Sequence, residues 1–102
     1  MRIAHLILTH ADPLLLDRMV GRLAHSAADV YIHVDKKSDI TPFLYIGDRP
    51  NVYFIQKRAK VYWGAYAIVQ ATLNGFAEIL QSGKSYDYVN LLSGQDYPIQ
   101  PI

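Results

Sequence analysis

Residues 86–98 read Y-D-Y-V-N-L-L-S-G-Q-D-Y-P. Tyr86, Tyr88, Val89, Leu91 and Leu92 form a near-continuous apolar run, the pattern of a strand buried on both faces in a parallel sheet. The run breaks at Ser93, Gly94, Gln95 and Asp96, which bring a flexible backbone, a hydroxyl, an amide and a carboxylate to the strand's carboxyl end. Pro98 and Pro101 then forbid further regular pairing. In open α/β sheets ligands bind at that edge, so the 93–96 loop is expected to sit in a binding cleft.

Moving back along the chain, residues 65–81 carry Tyr66, Ile68, Val69, Leu73, Phe76, Ile79 and Leu80 at helical spacing, nearly all round the helix. Gly75 costs such a helix about 1 kcal/mol relative to Ala, so packing rather than propensity must hold it, and Gly83 is placed to cap its end. Residues 52–55 form a short apolar strand, preceded by the turn cluster G-D-R-P-N at 47–51 and a short helical turn over 40–46 that Ser38 or Asp39 could cap. Residues 30–34 alternate around Tyr31 and His33 as another strand. Residues 3–8 are apolar apart from His5 and make the first strand, followed by a helix with Asp12 as N-cap and Pro13 at its first position. Leu14, Leu15, Leu16, Met19, Val20 and Leu23 give that helix a broad apolar face.

The resulting β-α-β-(α)-β-α-β pattern predicts an α/β fold, a Rossmann-like parallel sheet with helices on both faces. Its carboxyl edge receives residues 9–13, 35–38, 56–64 and 93–98. Asp35 follows a strand directly, where a carboxylate accepts from a ribose hydroxyl or a base N–H; a cap or a surface ion pair with Lys36 or Lys37 is the plainer alternative. Trp63 beside Gly64 either presents its ring to a flat ligand, with Gly64 permitting close backbone approach, or packs in the core. Asp96 either shapes a turn or acts on a sugar hydroxyl or a cation, although one carboxylate is a thin site for a hard cation that recruits several oxygens. His5 and His33 lie inside strands, where a satisfied buried imidazole is expected rather than a metal ligand, His10 is at the cleft edge, and no ligand spacing of a metal site joins them.

Other classes are disfavoured. The chain lacks G-x-G-x-x-G, G-x-x-x-x-G-K-[ST] and G-x-S-x-G, the signatures of dinucleotide folds, P-loops and nucleophile elbows. A formal net charge of +1 with no basic run longer than two residues gives no nucleic-acid footprint. There is no cysteine for disulfides or thiolate metal sites. The opening apolar stretch is too short for a signal peptide or membrane span, which leaves a cytoplasmic or membrane-associated setting open.

The segments I-L-T-H (7–10), Y-I-H-V-D-K-K-S (31–38), V-Y-W-G-A-Y-A-I-V-Q-A (61–71) and Y-V-N-L-L-S-G-Q-D-Y-P-I (88–99) together resemble the amino-terminal half of the catalytic domain of the Core-2/I-branching glycosyltransferases, which include β-1,6-N-acetylglucosaminyltransferases and peptide O-xylosyltransferases. The resemblance implies that residues 1–102 form the nucleotide-binding half of a GT-A domain. It further implies an inverting enzyme with a UDP-sugar donor, a glycan or protein acceptor, and no metal or other cofactor. By matched position Leu8, Asp35 and Trp63 would contact the donor nucleotide, with Thr9, His10 and Gly64 beside them at the same edge, and Ser93, Gly94, Gln95 and Asp96 would lie near the donor sugar and acceptor. Ser93 replaces a cysteine found in some relatives. The general base and the diphosphate-binding residues are expected beyond residue 102, so a fragment of a longer transferase is the leading expectation and a non-catalytic nucleotide-binding or interaction module the alternative. The isolated piece is expected to expose a sheet edge and apolar helix surface, and to self-associate through them.

Overall fold

A computed structural model describes residues 2–25, 27–61 and 65–93, without the side chains of 65–67. Four strands form one parallel sheet: β1 (Ile3–Thr9), β2 (Ala28–Val34), β3 (Val52–Phe54) and β4 (Tyr88–Ser93). The helices are α1 (Pro13–Leu23) between β1 and β2, a 3₁₀ helix (Thr41–Asp48) between β2 and β3, and α2 (Ala65–Gln81) between β3 and β4. This is the Rossmann-like α/β architecture that the alternation of elements predicts.

The strand order is β3-β2-β1-β4. The chain steps outward twice from β1, then returns past it to add β4 on the other side. Because parallel crossovers are right-handed, reversing the direction of travel moves the connection to the opposite face. Two cores result. On one face Ile7, Val30, Ile32 and Val34 pack against Leu16 and Val20 of α1 and Phe43 and Ile46 of the 3₁₀ helix. On the other, Leu6, Leu8 and Tyr31 pack against Ala71 and Ile79 of α2, with Ile55 and Val61.

Local chemistry sets the boundaries. The Asp12 carboxylate accepts from the Leu15 N–H at 3.2 Å and Pro13 opens α1, as the sequence indicates. Asp39 accepts from the Thr41 N–H at 3.0 Å at the start of the 3₁₀ helix. Gly83 adopts φ +78° just after α2, the left-handed conformation that glycine tolerates at a helix end. Gly75 is a packing requirement: a Cβ there would lie 2.6 Å from a Leu6 methyl, so its absence lets α2 approach β1.

Three sequence expectations need correction. β2 begins at Ala28, because Ala28 and Asp29 pair with Ile3 and Ala4. The apolar face of α1 is narrower than its leucines suggest, since Leu14 is 70% exposed and only Leu16 and Val20 are fully buried. The largest difference concerns β4, which is not buried on both faces: it borders the sheet, with Tyr88 60% and Val89 40% exposed. The Val69, Leu73 and Leu80 side chains of α2 are also exposed, and Phe76, Ile79, Leu80 and Val89 line an apolar groove of about 330 Å³. Among the described residues nothing covers that surface.

Candidate functional site

The strand order puts a topological switch point between β1 and β4: α1, which leaves β1, and α2, which leads into β4, pack on opposite faces of the sheet. Leu8 pairs in register with Ser93 on one side and His33 on the other, while Thr9 pairs with Val34. The Asp35 N–H then continues the ladder to the Thr9 carbonyl at 2.8 Å. Leu8, Thr9, His10, Asp35 and Ser93 are thereby brought to one edge. Leu8, Thr9 and Asp35 are buried there, whereas His10 and Ser93 are half-buried. Trp63, Gly64, Gly94, Gln95 and Asp96, also expected at this edge, lie outside the described residues.

Asp35 organises the edge around itself. One carboxylate oxygen, Oδ1, accepts the Lys37 N–H at 2.9 Å and the Val61 N–H at 3.0 Å. The other, Oδ2, faces Lys37 Nζ at 3.5 Å. Desolvation alone would raise the Asp35 pKa, but the Lys37 and Val61 N–H groups and the Lys37 ammonium outweigh it and hold the carboxyl below its usual range. The ion pair with Lys37 foreseen as the plainer alternative is present, and instead of capping a helix the carboxylate accepts the N–H two residues on. These contacts leave Oδ2 with acceptor capacity, because an ionised carboxylate offers about four lone-pair positions.

The neighbouring turns are tied to the same point. Ser38 donates its backbone N–H to the Asp35 carbonyl at 2.8 Å and its hydroxyl to the His10 carbonyl at 2.9 Å. Arg58 Nη1 reaches the carbonyls of Asp35 at 3.4 Å and Ser38 at 3.3 Å. The 56–61 connection is held from both sides. Glu78 of α2 accepts the Gln56 and Lys57 N–H groups, each at 2.8 Å, and Lys36 donates its N–H to the Ala59 carbonyl at 3.0 Å. His33 Nε2 accepts the Ala59 N–H at 2.9 Å. Sequence reading missed Glu78 and Arg58 as loop anchors. Charged residues with no local motif carry no signal of a partner some twenty positions away.

A family model described as Core-2/I-Branching enzyme matches residues 3–101. The chain belongs to that family. Its fold is consistent with the amino-terminal half of a GT-A domain, as the resemblance implies. The Core-2/I-branching chain is similar to a xylosyltransferase from Ciona intestinalis, with 28% identity over 97% of this chain and 12% of that protein. It is likewise similar to the β-1,3-galactosyl-O-glycosyl-glycoprotein β-1,6-N-acetylglucosaminyltransferase of bovine herpesvirus 4, at 31% identity over 96% of this chain and 23% of the relative. A human enzyme of the same description, numbered 3, is 30% identical over 96% of this chain and 23% of its own length. The chain thus spans under a quarter of the curated relatives it matches.

Among the described residues no three His, Asp or Glu side chains converge on a common point, and no helix is long and apolar enough to cross a membrane.

Proposed function

We propose that this chain supplies the nucleoside-binding side of an inverting, UDP-sugar-dependent glycosyltransferase. It would transfer a sugar of the N-acetylglucosamine or xylose type to a glycan or protein hydroxyl. The observation that carries this reading is the placement of Leu8, Thr9, His10, Asp35 and Ser93 at the carboxyl ends of β1, β2 and β4, around a switch point, in a member of the Core-2/I-branching family. Relatives are named for both sugars, which supports the substrate class.

In this reading Asp35 Oδ2 accepts a hydrogen bond from the donor's base or ribose, while Oδ1 stays committed to Lys37 and Val61. Ser93, at the end of β4, would serve the transferred sugar, as the resemblance implies for residues 93–96. A bond forms from the acceptor oxygen to the anomeric carbon as the bond to the diphosphate breaks, and the hydroxyl proton passes to a base. That base, and the cations that stabilise the departing diphosphate, lie outside residues 1–102. The metal-free reading rests on the resemblance and on the single carboxylate of the Ser93, Gly94, Gln95 and Asp96 loop.

Calorimetry with UDP, with and without a chelator, tests the assignment on the longest expressible form of the protein. Binding should survive chelation. Asp35→Ala should weaken it by about 1–3 kcal/mol, the worth of a charge-assisted hydrogen bond. Absence of any heat or thermal shift at millimolar UDP would overturn the donor assignment. Loss of binding on chelation would overturn its metal-free form.

A further inference from the structure

We propose that His33 is a positioning residue for the donor pocket: its neutral imidazole clamps segment 59–61 against the carboxyl end of β2 and so fixes the N–H group that orients Asp35. This rests on the donor-binding reading above, but the clamp itself is visible in the geometry. His33 and Asp35 alternate along β2 and its extension, so both side chains project from the same face, toward α2. They grip alternate residues of one segment. His33 Nε2 takes the Ala59 N–H at 2.9 Å, and Asp35 Oδ1 takes the Val61 N–H at 3.0 Å. Between them the Lys36 N–H reaches the Ala59 carbonyl at 3.0 Å, so both backbone polar groups of Ala59 are engaged by the H-V-D-K stretch of 33–36.

The chemistry of the clamp depends on the proton. A ring nitrogen that accepts an N–H bears no hydrogen, so the neutral tautomer carries its proton on Nδ1. Adding a second proton would set an Nε2–H against the Ala59 N–H, donor against donor, and break the clamp. His33 is fully buried and its Nδ1 makes no hydrogen bond to another residue among the described ones. Burial pushes its pKa below the usual histidine range, and the positive charge of Arg58 acts in the same direction. Its own backbone carbonyl and then the negative charges of Asp35 on its own strand and Glu78 on α2 oppose the shift without reversing it. The clamp is therefore closed at neutral pH and opens below the ordinary histidine value of 6.5.

The test compares wild type with His33→Gln and His33→Leu in the longest expressible chain. Gln extends a carbonyl oxygen to about the Nε2 position and accepts at every pH; Leu cannot accept at all. Two readouts are taken between pH 5 and 8: amide-exchange protection factors for Ala59 and Val61 relative to the β1 and β2 ladder, and the Kd for UDP.

In wild type, protection of Ala59 and Val61 should fall as pH drops through the folded His33 pKa, which lies below 6.5, while the ladder stays protected, with UDP binding weakening about 5–10-fold. The Gln variant should keep near-wild-type protection and affinity at pH 7.5 and lose the selective acid response, which also controls for protonation of the diphosphate itself. The Leu variant should bind UDP about 10-fold more weakly at pH 7.5.

Ala59 protection as high in His33→Leu as in wild type at pH 7.5, or an acid loss of that protection that is the same in the Gln variant, would overturn the clamp. Wild-type protection that falls as expected, with affinity unmoved in all three proteins, would overturn its role in donor binding. Failure of wild type to bind UDP at any pH would instead sink the donor assignment, while the exchange data still decide the clamp. If His33→Leu fails to fold, wild type and His33→Gln carry the decision alone.

Discussion

Two aspartates on β2 and its extension, Asp29 and Asp35, face the same side of the sheet, and their partners differ in kind. Asp29, at the amino end, is fully buried and is held on one oxygen by side chains from distant parts of the chain, while Oδ1 has no hydrogen-bond partner among the described residues. Arg2 Nη2 lies at 2.9 Å, Lys84 Nζ at 3.5 Å and the Tyr86 hydroxyl at 2.5 Å, all on Oδ2. The Tyr86 hydroxyl in turn contacts that of Tyr31 at 2.9 Å, and Lys84 sits over the Tyr53 ring at 4.3 Å. Asp35, at the carboxyl end, is held chiefly by backbone N–H groups of adjoining turns. The difference separates two jobs for one residue type. Long-range side-chain partners tie β1, β2 and the approach to β4 into one body, whereas backbone donors shape a loop edge and leave an oxygen for something else.

The comparison breaks most simply at Asp29. Asp29→Ala removes the shared acceptor of two cations and a phenol. Breaking a buried ion pair from one side costs about 3–5 kcal/mol. The Arg2 and Lys84 side chains are 38% and 34% exposed and can regain water, so a loss of about 2–4 kcal/mol in denaturant unfolding is expected. Asp35→Ala should cost clearly less global stability and chiefly affect ligand binding. Equal losses would erase the distinction.

Acid sharpens the same contrast. For both aspartates desolvation raises the pKa but is outweighed: at Asp29 by hydrogen bonds from Tyr86 and Arg2 and the Lys84 charge, at Asp35 by the N–H groups of Lys37 and Val61. The folded values therefore lie below the ordinary 3.8. Their stabilisation is fully present above that value and is lost as pH falls through the folded pKa. Thermal unfolding of Asp29→Asn should show a shallower acid limb below about pH 4 than wild type.

Much of this was legible because it is local. The apolar periodicity of residues 65–81, the Asp12-Pro13 start and the Gly83 stop are each decided by a few adjacent residues. The carboxyl-edge position of Asp35 followed from its place after an apolar strand. What sequence could not supply is pairing across distance. The Asp29 cluster joins residues as far apart as Arg2 and Tyr86, and a strand of the composition of β4 reads as central although it borders the sheet here. Gly75 is a similar case: helix propensity marks it as a weakness, and only the position of Leu6 reveals why a side chain is excluded.

A subtler probe of the Asp29 cluster is Tyr86→Phe. The phenol donates to Asp29 and, having spent its proton, receives that of Tyr31. Burial first, and then the hydrogen bond to Asp29, push its pKa far above the usual tyrosine value, so it remains a donor throughout the accessible pH range. Removing the hydroxyl leaves the ring to pack edge-on against Tyr31 at a centroid distance of 6.2 Å. The loss should be about 1–2 kcal/mol by denaturant unfolding, near the range for a hydrogen bond to a charged acceptor. A loss as large as that of Asp29→Ala would mean that the phenol, rather than the two cations, holds the carboxylate.

The smallest expected change is at Lys37, and it tests the other side of the comparison. Its ammonium stands 3.5 Å from Asp35 Oδ2, but its side chain is 37% exposed, so solvent and salt screen the pair. Asp35 keeps both backbone donors when the Lys37 side chain is cut away, because one of them is the Lys37 N–H itself. Lys37→Ala should therefore lower stability by under about 1 kcal/mol, with the difference shrinking further between 0.05 and roughly 0.5 M salt. If the loss instead matched that of Asp29→Ala and persisted in high salt, Asp35 would depend on its side-chain partner as Asp29 does. Backbone donors alone would then not be enough to hold a buried carboxylate at this edge.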